Sequence, residues 1–199
     1  MEHAKISRDE KQIQTRLHLI NAGLHLISEQ GYSAVSIRNI SKYAGYTQGA
    51  FYSNFSHKEE FLLTLMKSQF EQENAQLEKI MTQIDSDFSS LLEKLELWLT
   101  DFFQNDEWLK ISIELQLYAA REESFAAEYQ QVWQTHHEQI AKILIQLFSH
   151  DKQVDAEQLE AKILEIISLS YGLALQYMIF KDDLNKYIQI ITQRLIGQI

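Results

Sequence analysis

The sequence predicts an all-α chain of about nine helices, and three observations carry that expectation. Its 199 residues contain no proline and only six glycines, so little in it breaks a helix. Apolar residues recur at three- and four-residue spacings along most of its length. The breaks between these runs are short polar clusters, as expected of neighbouring helices that pack against each other. Apolar content of 45%, with 11% aromatics, can supply a real core, and the length suits one large or two small domains.

The first helix is expected over 8–30. Ile13, Leu17, Ile20, Leu24 and Ile27 form its apolar stripe, and Gly31 ends it as a glycine just past a helix does. Ser36 can cap a second helix, with Ile37 and Ile40 facing inward. Ala44-Gly45 makes a turn, and Thr47 caps a short third helix reaching about Ser53. Ser56 and Glu59 have the spacing of a capping box that opens a long helix over 57–84. Further helices are expected at about 87–104, 107–121, 123–149, 155–180 and 184–197. Their breaks fall at Asp85-Ser86-Asp87, Gln104-Asn105-Asp106, Ser149-His150-Asp151-Lys152 and Lys181-Asp182-Asp183. The later helices should pack as an antiparallel bundle. No repeat or flexible linker stands out. The expected domains are 1–56 and 57–199, with the 57–84 helix as connector.

The stretch from Gly31 to Phe61 decides the function class. Two short helices joined by a tight turn bury little alone, and they suit a second helix that must protrude, typically into the DNA major groove. Net charge of −10 argues against nucleic acid until its distribution is read. Residues 1–60 carry seven basic and six acidic side chains, and residues 61–199 carry eleven and twenty-two. The first part can approach phosphate while the rest is repelled, which would orient the molecule on DNA.

These residues resemble the helix-turn-helix domain of the TetR/AcrR family of bacterial transcriptional regulators. The resemblance rests on Ala22, Leu26, Gly31-Tyr32, Ser36-Ile37-Arg38-Asn39-Ile40, Ala44-Gly45, Thr47, Gly49-Ala50-Phe51-Tyr52, Phe55 and Lys58-Glu59-Glu60-Phe61. It covers roughly 45 residues at the family's spacing without gaps. Tyr171-Gly172-Leu173-Ala174-Leu175-Gln176 looks like the family's penultimate helix, which forms the dimer interface with the last one. The chain departs from the family where Ser41, Tyr46, Gln48 and Ser56 stand in place of the frequent Ala, Val, Lys and Pro. The resemblance implies a DNA operator, a homodimer and a small-molecule effector.

In that frame Tyr46, Thr47 and Gln48 are the candidates for base contact, since they lie at the N-terminus of the reading helix. Gln48 can pair bidentately with adenine. Gly49 allows close backbone approach or packing against the first helix. Tyr52 and Lys58 are expected at phosphates, with Ser36 and Arg38 on the other flank. Phe51 and Phe55 read as core. Ile163, Ile167, Tyr171, Leu175, Ile188, Ile191 and Leu195 are the candidate dimer interface, because helices apolar on several faces must be buried on several faces.

The middle helices are rich in aromatics and poor in catalytic groups. Phe70, Trp98, Phe102, Trp108, Tyr118 and Trp133 are candidates to line a pocket for an apolar or aromatic effector. Core packing is the simpler reading for most of them. Glu114, set among apolar residues, needs a partner such as Lys110, Arg121 or a cationic ligand. His137 and Gln176 are weaker candidates. The adjacent His136 and His137 point about 100° apart on a helix and chelate poorly, so no metal and no cofactor is expected.

No phosphate-binding glycine loop, nucleophile elbow or zinc-helix motif appears, so an enzyme is not expected. Without cysteine, a disulfide or thiolate site is excluded. The polar N-terminus does not read as a signal peptide, and the apolar stretch near Ile166–Phe180 reads as too short and too polar to span a bilayer. A cytoplasmic location follows. The expected function is therefore a homodimeric repressor on a palindromic operator, released when an effector displaces the 57–84 helix. The alternative is a helical small-molecule-binding or adaptor protein that uses its helix-turn-helix for protein contacts.

Overall fold

The computed structural model describes residues 7–82, 88–148 and 156–196. Among them every regular element is helical: α1 (Arg8–Gln30), α2 (Ile37–Tyr43), α3 (Gln48–Tyr52), α4 (Lys58–Thr82), α5 (Phe88–Gln104), α6 (Asp106–Ala119), α7 (Glu123–Phe148), α8 (Ala156–Phe180) and α9 (Leu184–Ile196). The one addition to the expected set is a single 3-10 turn, Tyr32–Ala34. The expected breaks at Asp85-Ser86-Asp87 and Ser149-His150-Asp151-Lys152 lie outside the described residues. At the break Gln104-Asn105-Asp106, Asn105 Oδ1 accepts the Trp108 amide at 3.1 Å and starts α6.

Packing divides the chain into two units. One comprises the chain up to Ser68 together with Lys110–Tyr129, and the other comprises Gln69–Leu109 and Gln130 onward. Residues 110–129, expected from the sequence within 57–199, thus cluster with the N-terminal segment.

In the first unit, α1 opens on a reciprocal box in which Ser7 Oγ accepts from the Glu10 amide and Glu10 Oε2 accepts from the Ser7 amide. Gly31 closes the helix at φ 78°, a conformation that favours glycine. The buried face of α1 is Leu19, Ile20, Ala22, Gly23, Leu26 and Ile27. Ile13 and Leu17, expected in the apolar stripe, are instead 60% and 49% exposed. The buried face begins only at Leu19. Gly23 lets Phe61 press against the α1 backbone, and Phe51, Phe55 and Phe61 form a fully buried aromatic cluster. The Arg16 guanidinium lies 4.4 Å from the Phe55 ring and donates to Asn54 O and Thr64 Oγ1, tying α1 to the α3–α4 corner.

The start of α4 corrects the expected cap by one residue. His57 Nδ1 accepts from the Glu60 amide, while Glu60 Oε2 accepts from the Ser56 amide at 2.7 Å. Glu59 is drawn elsewhere: its Oε1 accepts from the Tyr118 hydroxyl at 3.1 Å.

In the second unit, α5, α8 and α9 pack on one another, and Leu77, Leu91, Leu95 and Ile143 form a buried cluster with Ile80, Met81 and Trp98 against it. Ile163, Ile167, Ile188, Ile191 and Leu195, named above for a dimer interface, are buried within the single chain. They serve the α5–α8–α9 packing. Tyr171 and Leu175 are half-buried, and the Tyr171 hydroxyl accepts from Trp108 Nε1 at 3.2 Å. What α8 leaves outward is another stripe, Ala161, Leu164, Ser168, Gly172, Gln176 and Ile179.

The segment Glu160–Phe180 bears on the membrane expectation by length and composition only. Its 21 residues and mean hydropathy of 1.6 make it long and apolar enough to cross a bilayer by those measures. Ile163, Ile166, Ile167 and Ala174 on it are nevertheless buried by protein.

Candidate nucleic-acid interface and effector unit

The DNA-reading candidate is built from α2, its turn and α3. Ser36 and Asn39 form a capping box that starts α2. Gly45 takes φ 79°, and the Tyr46 amide closes the turn on Ser41 O at 2.8 Å. Thr47 Oγ1 then accepts the Ala50 amide at 3.2 Å and starts α3. Phe51 is fully buried, and that anchors a five-residue helix with its other side outward. Thr47, Gln48 and Gly49 are exposed, and Tyr52 is 55% exposed beside the edge of Phe51. Arg38 is exposed on α2.

Three residues sit differently from expectation. Tyr46 is half-buried and its hydroxyl is 2.9 Å from His18 Nδ1, so its ring is tied back toward α1. Gly49 makes no packing contact with α1; an added Cβ would meet only Thr47 Oγ1, at 3.6 Å. That removes the packing explanation. The Lys58 ammonium donates to Tyr32 O and Val35 O and lies 3.8 Å from the Tyr32 ring centroid. Burial pulls its pKa below the usual lysine range. A phosphate contact would have to use its remaining N–H. Lys58→Met is expected to lower stability by about 1–3 kcal/mol in urea unfolding, because two carbonyls lose a charged donor.

Two residues of this surface were missed. Lys42 and Tyr43 are exposed at the end of α2, with Tyr43 packed on His25 at 5.2 Å between ring centroids. A basic residue one step before the turn was the available signal for Lys42.

Glu114 and Tyr118, read as pocket candidates, belong to the first unit. Glu114 Oε2 accepts the Tyr32 amide at 3.2 Å, so its partner is backbone rather than Lys110, Arg121 or a ligand. Tyr118 packs on Tyr32 at 4.5 Å and on Phe125 at 4.9 Å. Together with Lys58, they fix the 3-10 turn that precedes α2.

The other pocket candidates lie in the second unit. Phe70 is the centre: His136 stacks flat on it at 3.8 Å and 1°, and Trp108 and Trp133 meet it edge-on. Trp98 stacks on Phe102 at 5.8 Å. His137 is half-buried against Trp133, and Gln176 is exposed on α8, outside this group. The sequence reading missed Glu73 and Asn74, which are buried among these rings. It allowed His136 a structural role, and that residue is only 2% exposed. Glu73 Oε2 lies 3.7 Å from His136 Nε2, and Glu73 Oε1 accepts from Gln69 Nε2 at 3.1 Å. Burial pushes the Glu73 carboxyl up to about 7 and the His136 imidazole down to about 3. A signal existed: Met66, Phe70, Glu73 and Leu77 share one face of α4 by spacing. Among the described residues, no group of three or more His, Cys, Asp or Glu is placed to hold a metal ion.

Known proteins resemble the chain at two levels. The model described as bacterial regulatory proteins, tetR family, matches residues 19–65. The HTH-type transcriptional regulator YwcC of Bacillus subtilis (strain 168) is 46% identical over 48 residues, 24% of this chain and 22% of that protein. The HTH-type transcriptional regulator AcrR of Shigella flexneri is 40% identical over 57 residues, 29% of this chain and 26% of that protein. The chain thus matches about a quarter of either relative's length. A TetR-family transcriptional regulator structure from Mesorhizobium loti MAFF303099 matches with a TM-score of 0.73 at 13% identity. It covers 94% of this chain and 96% of that one, a likeness of fold.

Proposed function

We propose that this chain, a TetR-family DNA-binding transcriptional regulator by its residues 19–65, acts as a homodimeric repressor that a small molecule releases from a palindromic operator. The observation that carries the reading is α3: Phe51 is sunk into the core while Gln48, Gly49 and Tyr52 stand outward at the end of a tight turn. Gln48 is the base reader. Gly49 gives backbone room, Thr47 starts the helix, and Tyr52, Arg38 and Ser36 meet the flanking phosphates. Lys42, exposed beside the turn, joins that phosphate set. Operator binding places the protein in the cytoplasm.

The dimer surface of this reading is the outward stripe of α8. Leu164 and Ile179 are 56% and 71% exposed, and Ser168 and Gly172 between them permit close helix approach. Two copies then read two half-sites, separated by about 34–36 Å or a multiple of it. The effector domain is the second unit, with its aromatic and polar interior around Phe70, Trp108, Trp133 and Glu73. The continuous helix α4 runs from the reading head into it. The effector must prefer the state that does not bind DNA, since otherwise no equilibrium shifts.

Selection of bound duplexes from a random pool, followed by fluorescence anisotropy across salt, tests the reading. A palindromic site should emerge, with affinity falling steeply as salt rises. Gln48→Ala should relax preference at one position of each half-site, where the wild type discriminates by about 1–3 kcal/mol. Salt-independent binding, or unchanged preference in that variant, counts against it.

A further inference from the structure

We infer that the cleft between Glu73 and Asp101 in the second unit takes a small organic cation carrying a flat ring. The inference rests on the effector reading of that unit and names the ligand class it lacks.

The cleft measures about 120 Å³, roughly four times the ~30 Å³ that a water molecule occupies in the liquid. That suits a small, one-ring molecule. Its mouth is exposed at Gln72, Gln76 and Asp101. Its floor is buried, made by Glu73 at 6% exposure and Phe102 at 7%. Trp98 forms a wall, near parallel to Phe102 at 11°. The charged side chains lining it are two carboxylic acids, with no lysine, arginine or histidine among the lining residues. The remaining polar groups are amides, including Gln69 and Asn105.

This lining sorts ligands by charge. An anion would meet two carboxyl groups and find only neutral amide and indole N–H donors. A cation gains an opposite charge at the floor and a second at the mouth, with the aromatic side chains of Trp98 and Phe102 in the same lining. Glu73 is under-used without it. A carboxylate offers about four acceptor positions, and among the described residues the hydrogen bond it accepts is the one from Gln69. His136, at 3.7 Å, is beyond hydrogen-bond distance. Burying a carboxyl group among rings costs free energy that well-placed donors recover. An amidinium or primary ammonium supplies those donors in the plane of a ring that fits against Trp98.

Three probes of one shape and three charges test this: benzamidine, benzamide and benzoate. They are titrated into the 199-residue chain by calorimetry and tryptophan fluorescence at about pH 8, above the raised Glu73 value of about 7. Benzamidine should bind saturably, at least about tenfold tighter than benzamide, and benzoate should not bind. Glu73→Gln keeps the shape and removes the charge, and it should weaken benzamidine about tenfold while leaving benzamide unchanged. Asp101→Asn, at an exposed position, should weaken benzamidine only about two- to fivefold. No binding of benzamidine, equal binding of benzamide, tighter binding of benzoate, or full benzamidine affinity in Glu73→Gln would each overturn the inference. Operator affinity is measured in parallel. Charge-selective binding that leaves operator affinity unchanged keeps the ligand class and defeats the effector reading. Loss of selectivity with operator release intact does the reverse.

Discussion

Replacing Gly23 by alanine should destabilise the first unit by about 1–3 kcal/mol, although alanine is the better helix former by about 1 kcal/mol. A Cβ at this position would stand 2.2 Å from Phe61 Cζ and 2.6 Å from its Cε1. A ring tip can move aside when it has room, but Phe61 has none. It is fully buried and wedged between Phe51 at 5.3 Å and Phe55 at 5.0 Å. Moving it disturbs Phe51, and Phe51 is what anchors α3. The variant should therefore melt lower, by several degrees at roughly 4–8 °C per kcal/mol for a small cooperative unit, and bind operator more weakly. Thermal unfolding by circular dichroism checks the first part. The double variant Gly23→Ala with Phe61→Leu should recover part of the loss, because the smaller side chain returns space to the new methyl group. A Gly23→Ala protein as stable as the wild type would show that the ring has somewhere to go.

The same contact shows what could be read from the sequence. Gly31 and Gly45 were legible as turn residues because each punctuates a periodic run, and both take positive φ. The helices were legible because proline is absent and the apolar spacing is regular. Positions that depend on a distant partner were not. The capping residue of α4 was displaced by one because two adjacent glutamates compete, and Tyr118, far along the chain, takes Glu59. Glu114 and Tyr118 looked like pocket residues because their own helix is apolar, yet their partners are Tyr32 and Glu59 in the reading unit. Lys58 matched a phosphate position by spacing, and its two carbonyl acceptors were invisible from sequence. On α8 the apolar pattern was plain, but the pattern alone does not say which face the chain keeps for itself. The structure gives Ile163 and Ile167 to the interior and leaves Leu164 outside.

Glu73→Gln should also change how stability depends on pH, and the expected shape follows from two opposed titrations. In the folded chain Glu73 keeps its proton up to about 7, whereas an unfolded glutamate releases it near about 4.3. Between those values the folded state holds the extra proton, so this residue's contribution to stability falls as pH rises. His136 stays neutral down to about 3, whereas an unfolded histidine gains a proton below about 6.5. Between those values the unfolded state holds the extra proton, so this contribution rises with pH. From about pH 4.3 to 6.5 the two slopes, each about 1.4 kcal/mol per pH unit for one proton, cancel. The wild type should show little dependence from this pair across that window, lose stability below it through His136, and lose a little just above it through Glu73. With Glu73 replaced by glutamine the compensation is gone, and the histidine slope stands alone up to about 6.5. The difference between variant and wild type should therefore grow in favour of the variant between about pH 4.3 and 7, by on the order of 3 kcal/mol. Urea unfolding of both proteins at several pH values from about 4 to 8 measures that difference, and groups common to both cancel in it. A difference that stays constant with pH would mean that Glu73 is already ionised in the fold.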